Sequence, residues 1–319
     1  MKRFLLLSLL LLSMAAGFYV AKTRHEMDLA LNKMNRDEST DLNTIEVNEN
    51  LVSDDDIITI ILVGADKRES EQDRGRSDSL MLATMDTKHK ELKLTSIMRD
   101  TYLEIPGHGS DRFNAAYSYG GVGLTYQTIA QNFNISANGY VIVDFEGFKK
   151  VINKIGGVEM EVTQEEKNVM ADDNHYPDWI AKLKIGKNKL NGKQALAYCR
   201  MRHDSKGDFG RTERQRNLLS AIFKKMKTMP IPDALKAVQE ILPYITTDLS
   251  NEEIYAYVAK MITMGTTDIE QLRIPVEGTY AQQRISGKSV LVPDISSNAD
   301  IMQKFIFESQ KELSLTNEE

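Results

Sequence analysis

The chain has 319 residues, of which 41% are hydrophobic and 27% are charged, so it is long enough to bury a sizeable core. Its single cysteine, Cys199, excludes an intramolecular disulfide framework. Residues 1–24 hold four basic and no acidic residues, which leaves 36 basic against 46 acidic residues in the rest of the chain, a formal charge of −10 that argues against nucleic acid as a partner.

A run of apolar residues from 4 to 21 follows the basic pair Lys2 and Arg3. Its length is near the lower limit, about 17 residues, for a helix that spans a bilayer. A cleaved signal peptide is the alternative, because small residues at 15–17 also precede processing sites. In both cases the basic start stays in the cytoplasm and the remainder is exported. We therefore predict a cytoplasmic start and a single transmembrane helix within residues 1–24, and an extracellular remainder attached to the cell membrane.

The following elements alternate between strand-like and helix-like patterns. Residues 25–56 are polar and charged and predict a stalk or linker. The β-branched run 57–63 ends at Gly64, which is typical of a strand buried on both faces. Further strands are predicted at 79–85, 91–97, 140–145 and 158–162, and helices at 124–133, 146–155, 211–227 and 251–264. This interleaving predicts an α/β fold, a three-layer α/β/α sandwich with a central mixed sheet, whose core spans residues 57–229.

The C-terminal third begins where Pro230 and Pro232 interrupt a long helical stretch. From residue 297 onward the pattern is that of one amphipathic helix followed by an acidic tail. We predict that residues 230–319 form helices and a strand that pack on the same domain.

Charged residues flank the gap between the first two predicted strands. Asp66 and Arg68 follow the first strand, and Arg76 and Asp78 open the second. If these strands are neighbours, the two carboxylates converge at one sheet edge. Such a pair beside arginines suits Mg²⁺ (or Mn²⁺) bound between the acids and a phosphate. Salt bridges that merely neutralise each other in a loop are the alternative interpretation.

A second cationic cluster lies in the second half of the chain. Arg200 and Arg202 are two residues apart, so in an extended segment they share a side, whereas Arg211 and Gln215 are four apart and share a helix face. Asp208 is predicted as the helix N-cap, which sets Arg211 near a helix start, where anions are favoured. Planar guanidinium groups suit phosphate oxygens. The alternative is a solvated helix face with acidic partners.

The order of short motifs between residue 62 and about residue 219 resembles the LytR-CpsA-Psr domain. These motifs are Gly64-Ala65-Asp66-Lys67-Arg68, Arg76-Ser77-Asp78, Arg99-Asp100, Asn114-Ala115-Ala116-Tyr117, Tyr119-Gly120-Gly121, Gly156-Gly157-Val158, the segments 195–202 and 207–211, and Arg214-Gln215. Two positions depart from the family pattern. Met98 replaces the usual proline before Arg99, and Arg112-Phe113 replaces a lysine-aliphatic pair.

The resemblance implies an enzyme of Gram-positive-type cell-wall biogenesis. Such a phosphotransferase transfers a secondary glycopolymer (teichoic acid, capsule or similar) from a polyprenyl-pyrophosphate carrier to peptidoglycan with Mg²⁺, and it holds the lipid in an apolar tunnel. Carried over by position, Asp66 and Asp78 are the metal ligands, and both are catalytic together with Arg99 and Arg202. The implied pyrophosphate-binding residues are Arg68, Arg76, Arg99, Arg200, Arg202, Arg211 and Gln215.

Two other functions use the same residues. A polyprenyl-pyrophosphate hydrolase would use water as the acceptor, and a regulator would bind the lipid pyrophosphate without turnover. The general base is left open among Asp66, Asp100 and Asp208, and for Asp208 the N-cap role is the stronger interpretation.

Overall fold

The computed structural model describes residues 21–37, 40–47, 51–66, 76–171, 177–202, 204–266 and 268–310. Its α-helices are α1 (21–31), α2 (Phe113–Phe133), α3 (Phe145–Lys154), α4 (Gln164–Met170), α5 (Asp178–Ala181), α6 (Gly192–Cys199), α7 (Gly207–Thr228), α8 (Ile231–Ile241), α9 (Asn251–Met264) and α10 (Ile295–Phe307). Its strands are β1 (Asn35–Arg36), β2 (Ile57–Asp66), β3 (Arg76–Asp86), β4 (Glu91–Ile97), β5 (Tyr102–Ile105), β6 (Gly109–Arg112), β7 (Gly139–Asp144), β8 (Val158–Val162), β9 (Gly186–Leu190), β10 (Thr246–Thr247), β11 (Ile269–Ile274), β12 (Tyr280–Ile285) and β13 (Lys288–Pro293).

Within these ranges, seven strands form one mixed sheet in the order β1-β10-β7-β2-β3-β4-β11. The central strand β2 runs antiparallel to β3 and parallel to β7, and β4 runs antiparallel to β3 and parallel to β11. The pairs β5–β6, β8–β9 and β12–β13 are separate antiparallel ribbons. The predicted central mixed sheet is therefore confirmed.

The sheet is covered on both faces, as the β-branched run in β2 predicted. Successive side chains of a strand point to opposite faces. Ile61 and Val63 pack in the main core with α2 and with Met302 of α10. On the other face, Ile58 packs with Met264 at the end of α9. The helices thus enclose the sheet in the predicted three layers.

Parts of the predicted stalk, residues 25–56, pack against this domain. Leu31 of α1 is buried in a cluster with Leu242. β1 extends the central sheet by pairing in parallel with β10, and Val52 bridges to Ile135. The domain boundaries themselves stay predictions. Among the described residues no helix combines the length and apolar character needed to cross a bilayer. Of the predicted anchor 4–21, only residue 21 belongs to the described residues.

A buried ionic cluster fixes the end of α10 to the β3–β4 hairpin. The Lys93 ammonium group is fully buried, 2.7 Å from an Asp86 carboxylate oxygen and 3.4 Å from a Glu91 oxygen. It also donates hydrogen bonds to the carbonyl oxygens of Ile306 (3.1 Å) and Glu308 (2.8 Å). The segment after α10 is thus held by a charge that has no contact with water. We call this group the Lys93 cluster.

Candidate functional site

A cavity of about 240 Å³ lies between the central sheet and helices α3, α6 and α7. Its walls are mostly aliphatic and aromatic, and they include Leu62 and Met81 from the sheet, Phe148 from α3, and Leu218 and Ile222 from α7. Its charged and amide-bearing lining residues are Asp78, Asp144, Arg200 and Gln215. A cavity of this composition suits a ligand with a hydrocarbon portion and a polar end.

The first motif forms one edge of this cavity. Gly64 lines it, and a Cβ atom at that position would lie 3.1 Å from the Cβ of Ser79, so glycine permits the close approach of β2 and β3. A bulge follows between Gly64 and Ala65, a device that redirects side chains beside functional sites. The backbones of Asp66 and Arg76 then pair, which confirms that the two predicted strands are neighbours.

The first cluster of predicted site residues is only partly described. The side chains of Asp66 and Arg76, and the whole of Arg68, lie outside the described part of the chain. Asp78 is described, and its carboxylate lies at the cavity next to two arginines. The positions of the other three side chains therefore stay predictions.

Arg99 connects the ends of three elements. Its guanidinium nitrogens lie 3.4 Å from Asp78 on β3, 3.4 Å from Asp100 after β4, and 3.5 Å from Asp208 on α7. A direct charge-assisted hydrogen bond is shorter, about 2.7–2.9 Å. Each carboxylate is therefore held loosely, and the Arg99 guanidinium retains capacity to bind an added anion.

Arg202 and Arg211 complete a group that we call the three-arginine cluster: Arg99, Arg202 and Arg211. Arg202 lies 3.5 Å from Asp208 and 3.9 Å from Asp78, and Arg211 lies 2.9 Å from Asp208. Three arginines that are distant in sequence thus share two carboxylates. The structure brings these three predicted residues together beside Asp78.

Arg211 is the buried member of the cluster. It is only 2% exposed, and its Nη1 atom lies 2.9 Å from an Asp208 carboxylate oxygen, whereas its Nε atom donates no hydrogen bond within the described structure. Burial, as the larger cause, and the adjacent positive charge of Arg99 together lower the pKa of Arg211 to about 10, although the Asp208 carboxylate acts to raise it. The ion pair with Asp208 offsets part of the cost of burying this guanidinium, and the Nε donor is left for a further anion.

Two aspartates in the cluster have opposite shifts. Burial raises the pKa of Asp100, and its contact with Asp208 acts in the same direction. Burial also opposes ionisation of Asp208, but the Arg211 and Arg99 charges outweigh it, so the pKa of Asp208 is lowered. Of the two carboxyl groups, Asp208 is therefore the one that ionises more readily.

Arg112 lies next to the candidate site, although the sequence analysis assigned it no role there. Its Nη1 atom lies 3.3 Å from the Asp100 carboxylate, at the start of α2. The available signal was the departure from the lysine-aliphatic pair before Asn114. An arginine there keeps the positive charge and adds a planar fork of donors.

Two local expectations for the second cluster are wrong. Arg200 is not in an extended segment, because α6 continues to Cys199 and leaves Arg200 in a helical conformation as its C-cap. Its guanidinium stacks 4.5 Å from the ring centroid of Phe145 at the cavity. Gln215 lines the same cavity one helical turn after Arg211, as the spacing of four predicted.

Asp208 is also not the N-cap of α7. Lys206 occupies that position, and the Asp204 carboxylate accepts the hydrogen bond from the backbone N–H of Gly207 at 2.8 Å. Because Asp204 takes the capping role, the Asp208 side chain is available to the arginines. The N-cap role that the sequence favoured for Asp208 is therefore wrong.

Two buried contacts position the arginines. The backbone N–H of Met98 donates to the carbonyl of Ile274 at 2.8 Å, a bond that proline could not make, so pairing with β11 fixes the backbone before Arg99. Arg214 lies between Glu166 and Asp204 and donates to the carbonyl of Met201 at 2.7 Å. It thereby holds the segment that carries Arg202.

The predicted Mg²⁺ site can be compared with the metal-ligating side chains that the structure describes. No group of three or more His, Cys, Asp or Glu side chains suited to a metal occurs in the described ranges. However, the contacts of the Asp78 carboxylate with described arginines are long, 3.4 and 3.9 Å, so it retains lone pairs for a hard cation. Carboxylate, water and phosphate oxygens are the donors that Mg²⁺ prefers, and the residue types fit that ion.

The fold and site define a class of α/β protein in which an apolar cavity between the central sheet and its helices adjoins the three-arginine cluster. The LytR_cpsA_psr family model matches residues 17–305, so the chain belongs to the LytR-CpsA-Psr family. The resemblance seen in the motifs is thereby confirmed.

Relatives of known name support this assignment. The regulatory protein MsrR of Staphylococcus aureus is 35% identical over 233 residues, 72% of this chain and 68% of MsrR. The polyisoprenyl-teichoic acid–peptidoglycan teichoic acid transferase TagU of Bacillus anthracis is 34% identical over 280 residues, 86% of this chain and 87% of TagU. The structure of the family protein YwtF (TagT) with bound octaprenyl pyrophosphate lipid is 26% identical and covers 82% of this chain and 95% of its own, with a TM-score of 0.61.

Proposed function

We propose that this protein is a membrane-anchored phosphotransferase that moves a cell-wall glycopolymer, such as teichoic acid or capsule, from a polyprenyl-pyrophosphate carrier to peptidoglycan outside the cell. Two relatives support it: TagU is named as a teichoic acid transferase, and YwtF (TagT) binds octaprenyl pyrophosphate. The observation that carries the proposal is the apolar cavity whose lining residue Asp78 contacts Arg99 and Arg202 of the three-arginine cluster. In the same cluster, buried Arg211 keeps an Nε donor without a partner in the described structure.

In this reaction the acceptor hydroxyl oxygen forms a bond to the glycan-side phosphorus of the carrier. The bridging P–O bond of the pyrophosphate breaks, and polyprenyl phosphate leaves with the electron pair. The hydroxyl proton passes to a carboxylate or to water. Arg99, Arg202 and Arg211 neutralise the phosphate oxygens and align the phosphorus, which supplies most of the catalysis in phosphoryl transfer. The cavity keeps the hydrocarbon chain out of water.

A divalent cation, Mg²⁺ or Mn²⁺, would be held by Asp78 and, by its predicted role, Asp66. Such an ion supplies further neutralisation of phosphate charge. We expect EDTA to abolish transfer and added Mg²⁺ to restore it. In Asp78→Asn the Mg²⁺ concentration for half-maximal rate should rise at least about tenfold, since one charged ligand is lost. A rate in EDTA equal to that in Mg²⁺ would contradict the metal requirement.

The activity is tested with the full chain in detergent micelles. Incubation with octaprenyl-pyrophosphate oligosaccharide, Mg²⁺ and peptidoglycan strands is expected to yield glycan joined to the oligosaccharide through a phosphodiester. Mass spectrometry of the digested glycan detects the product, and a reaction without donor is the control. If neither Mg²⁺ nor Mn²⁺ gives a joined product, the proposal is wrong.

The same reaction mixture separates the two alternatives. A hydrolase would release octaprenyl phosphate at the same rate with and without peptidoglycan. A regulator, which the name of MsrR suggests, would bind the lipid with no turnover at all, and Arg202→Ala would weaken only that binding. Transfer that depends on the glycan acceptor distinguishes the proposed enzyme from both.

A further inference from the structure

The ends of α7 and α9 lie together at one edge of the central sheet. The Lys227 ammonium group, in the last turn of α7, donates a hydrogen bond to the carbonyl of Gly265, the C-cap of α9, at 3.0 Å. Met264 packs with Ile58 and Leu92, near the first residues of β2 and β4. The candidate site lies where β2 and β4 end. α7 begins at that site and its 22 residues extend about 33 Å, so its end lies at the opposite edge of the sheet.

α1 starts at the same edge, because it runs antiparallel to α9. Asn32, just after α1, accepts a hydrogen bond from Asn251 in the first turn of α9 at 2.9 Å. Asp28 accepts one from the Tyr255 hydroxyl, one turn further along α9, at 2.8 Å. The start of α1 is therefore directed towards the end of α9. We call the region where these helices meet the three-helix end: residues 21–27 of α1, 221–228 of α7 and 254–264 of α9.

Apolar side chains are exposed together at the three-helix end. Ile262 and Val258, one turn apart in α9, are 72% and 43% exposed, and Ile231 is 75% exposed. Ile231 follows Lys227 by four residues and Ile262 precedes Gly265 by three. The hydrogen bond between Lys227 and Gly265 therefore brings them to the same end of the molecule. Exposed aliphatic side chains that are grouped, rather than scattered singly, mark a surface that contacts a partner.

Basic residues accompany these apolar side chains on an otherwise acidic chain. Residues 21–27, 221–232 and 254–270 hold six Lys or Arg against three Asp or Glu, whereas the chain beyond residue 24 carries a formal charge of −10. Exposed aliphatic side chains among lysines and arginines are the groups with which helices lie on an anionic bilayer surface. In the sequence, the apolar run 4–21 leads directly into α1. Chemistry and position therefore favour a lipid surface as the partner.

The cavity is aligned with the three-helix end. Gln215, one turn after Arg211 of the three-arginine cluster, lines the cavity, and Ile222, two turns later on α7, lines its aliphatic part. The direction from the phosphate-binding residues into the hydrocarbon part of the cavity is therefore the direction in which α7 runs. A carrier lipid in the cavity has its chain directed towards the three-helix end.

We propose that the three-helix end rests on an anionic membrane surface, with Val258, Ile231 and Ile262 among the lipids and the lysines at the phosphate headgroups. This rests on the proposed function and assigns the side from which the carrier lipid reaches the cavity. In this orientation the length of α7 holds the arginines about 30 Å above the bilayer surface. The pyrophosphate is then raised towards the wall while its hydrocarbon chain points back to the membrane.

The contact is tested with the full chain reconstituted in vesicles of phosphatidylglycerol and phosphatidylcholine, with a nitroxide in the upper acyl chain of a minor lipid. A fluorophore is attached through Ala259→Cys, on the exposed face of α9, or through Gln283→Cys, on the exposed β12–β13 ribbon that contacts Asp100, while native Cys199 is buried. The nitroxide is expected to quench the label at position 259 and not the label at position 283. In vesicles of phosphatidylcholine alone the quenching at position 259 should fall, because the lysines lose their anionic partners.

Ile262→Glu tests the same surface by activity. With the donor in detergent micelles its rate of glycopolymer transfer should equal that of the wild type. With the donor in vesicles its rate should fall about tenfold, because the apolar contact with the bilayer is replaced by a negative charge. Ile185→Glu is the matched control and should keep both rates. Ile185 is 57% exposed, but it precedes Gly186, which pairs with Val162 near the start of α7.

The other outcomes overturn the inference in different ways. Quenching of both labels, or of neither, contradicts the proposed orientation. A rate of Ile262→Glu that falls equally in micelles and vesicles assigns this side chain a structural role. Wild-type dimers in micelles that Ile262→Glu dissociates would assign the surface to a second copy of the chain. If the wild type transfers no glycopolymer in either assay, the proposed function is wrong, and the quenching at position 259 still decides whether the three-helix end contacts the membrane.

Discussion

Replacement of Arg211 by methionine is expected to lower the rate of glycopolymer transfer by about 10²–10³-fold while lowering the free energy of unfolding by no more than about 1 kcal/mol. Arg211 is buried, its Nε atom has no hydrogen-bond partner in the described structure, and the positive charges of Arg99 and Arg202 lie next to it. Its Nη1 atom pairs with Asp208 at 2.9 Å, but Asp208 keeps Arg99 and Arg202 as partners when Arg211 is replaced. Methionine has a similar length and removes the anion site without leaving the Asp208 charge unpaired.

A large loss of activity with little loss of stability identifies a functional role for this side chain. Transfer is measured with saturating octaprenyl-pyrophosphate oligosaccharide, and unfolding with urea. Arg216→Met is the matched control on the same helix, because Arg216 is also buried but donates to neutral Ser96 and Gln271. We expect this control to keep the transfer rate and to lose about 1–3 kcal/mol of stability through unpaired polar groups. Loss of both properties in Arg211→Met would indicate a structural role instead.

Asp86→Asn is expected to lower the free energy of unfolding by about 3 kcal/mol, near the low end of the range for a broken buried ion pair. Asp86 and Lys93 are fully buried at 2.7 Å, so the variant leaves the Lys93 charge in the interior. Glu91, at 3.4 Å, still offers partial compensation. The exposed pair of Asp300 and Lys304 provides the control, since Asp300→Asn should cost less than about 0.5 kcal/mol. A loss below about 1 kcal/mol in Asp86→Asn would contradict the importance of the Lys93 cluster.

The contribution of Asp86 to the free energy of unfolding also depends on pH. Burial acts to raise the pKa of Asp86, but hydrogen bonds from Lys93 and His89 outweigh it and hold the pKa below its ordinary value of 3.8. A carboxyl whose pKa is lowered by folding contributes stability that is present above the unfolded pKa and is lost as the pH falls through the folded pKa. The stability difference between the wild type and Asp86→Asn should therefore be constant near neutral pH and shrink below pH 3.8. A stability difference that grows as the pH falls would contradict this prediction.

Much of the fold follows from local pattern. The run 57–63 is β-branched at every position except Leu62, as expected of a strand that is covered on both faces, and the predicted helix 251–264 coincides with α9. The spacing of apolar residues and the local composition of the sequence predict such burial directly. The prediction of a stalk or linker at residues 25–56 did not include their packing on the domain. The few apolar side chains there, such as Leu31, contact residues far along the chain. No local period encodes such distant pairing.

The candidate site divides in the same way. Residue type and motif order alone indicated the family, and they singled out the arginines and Asp78 as candidates, because guanidinium groups suit phosphate oxygens in any fold. Only the tertiary structure decided that Asp204 caps α7 and leaves Asp208 to three arginines, that Arg200 stacks on Phe145, and that the β12–β13 ribbon lies beside Asp100. The sequence determined which charges are present, whereas burial and the crossing of distant strands determined which of them meet, since pairing energies depend on distance and desolvation.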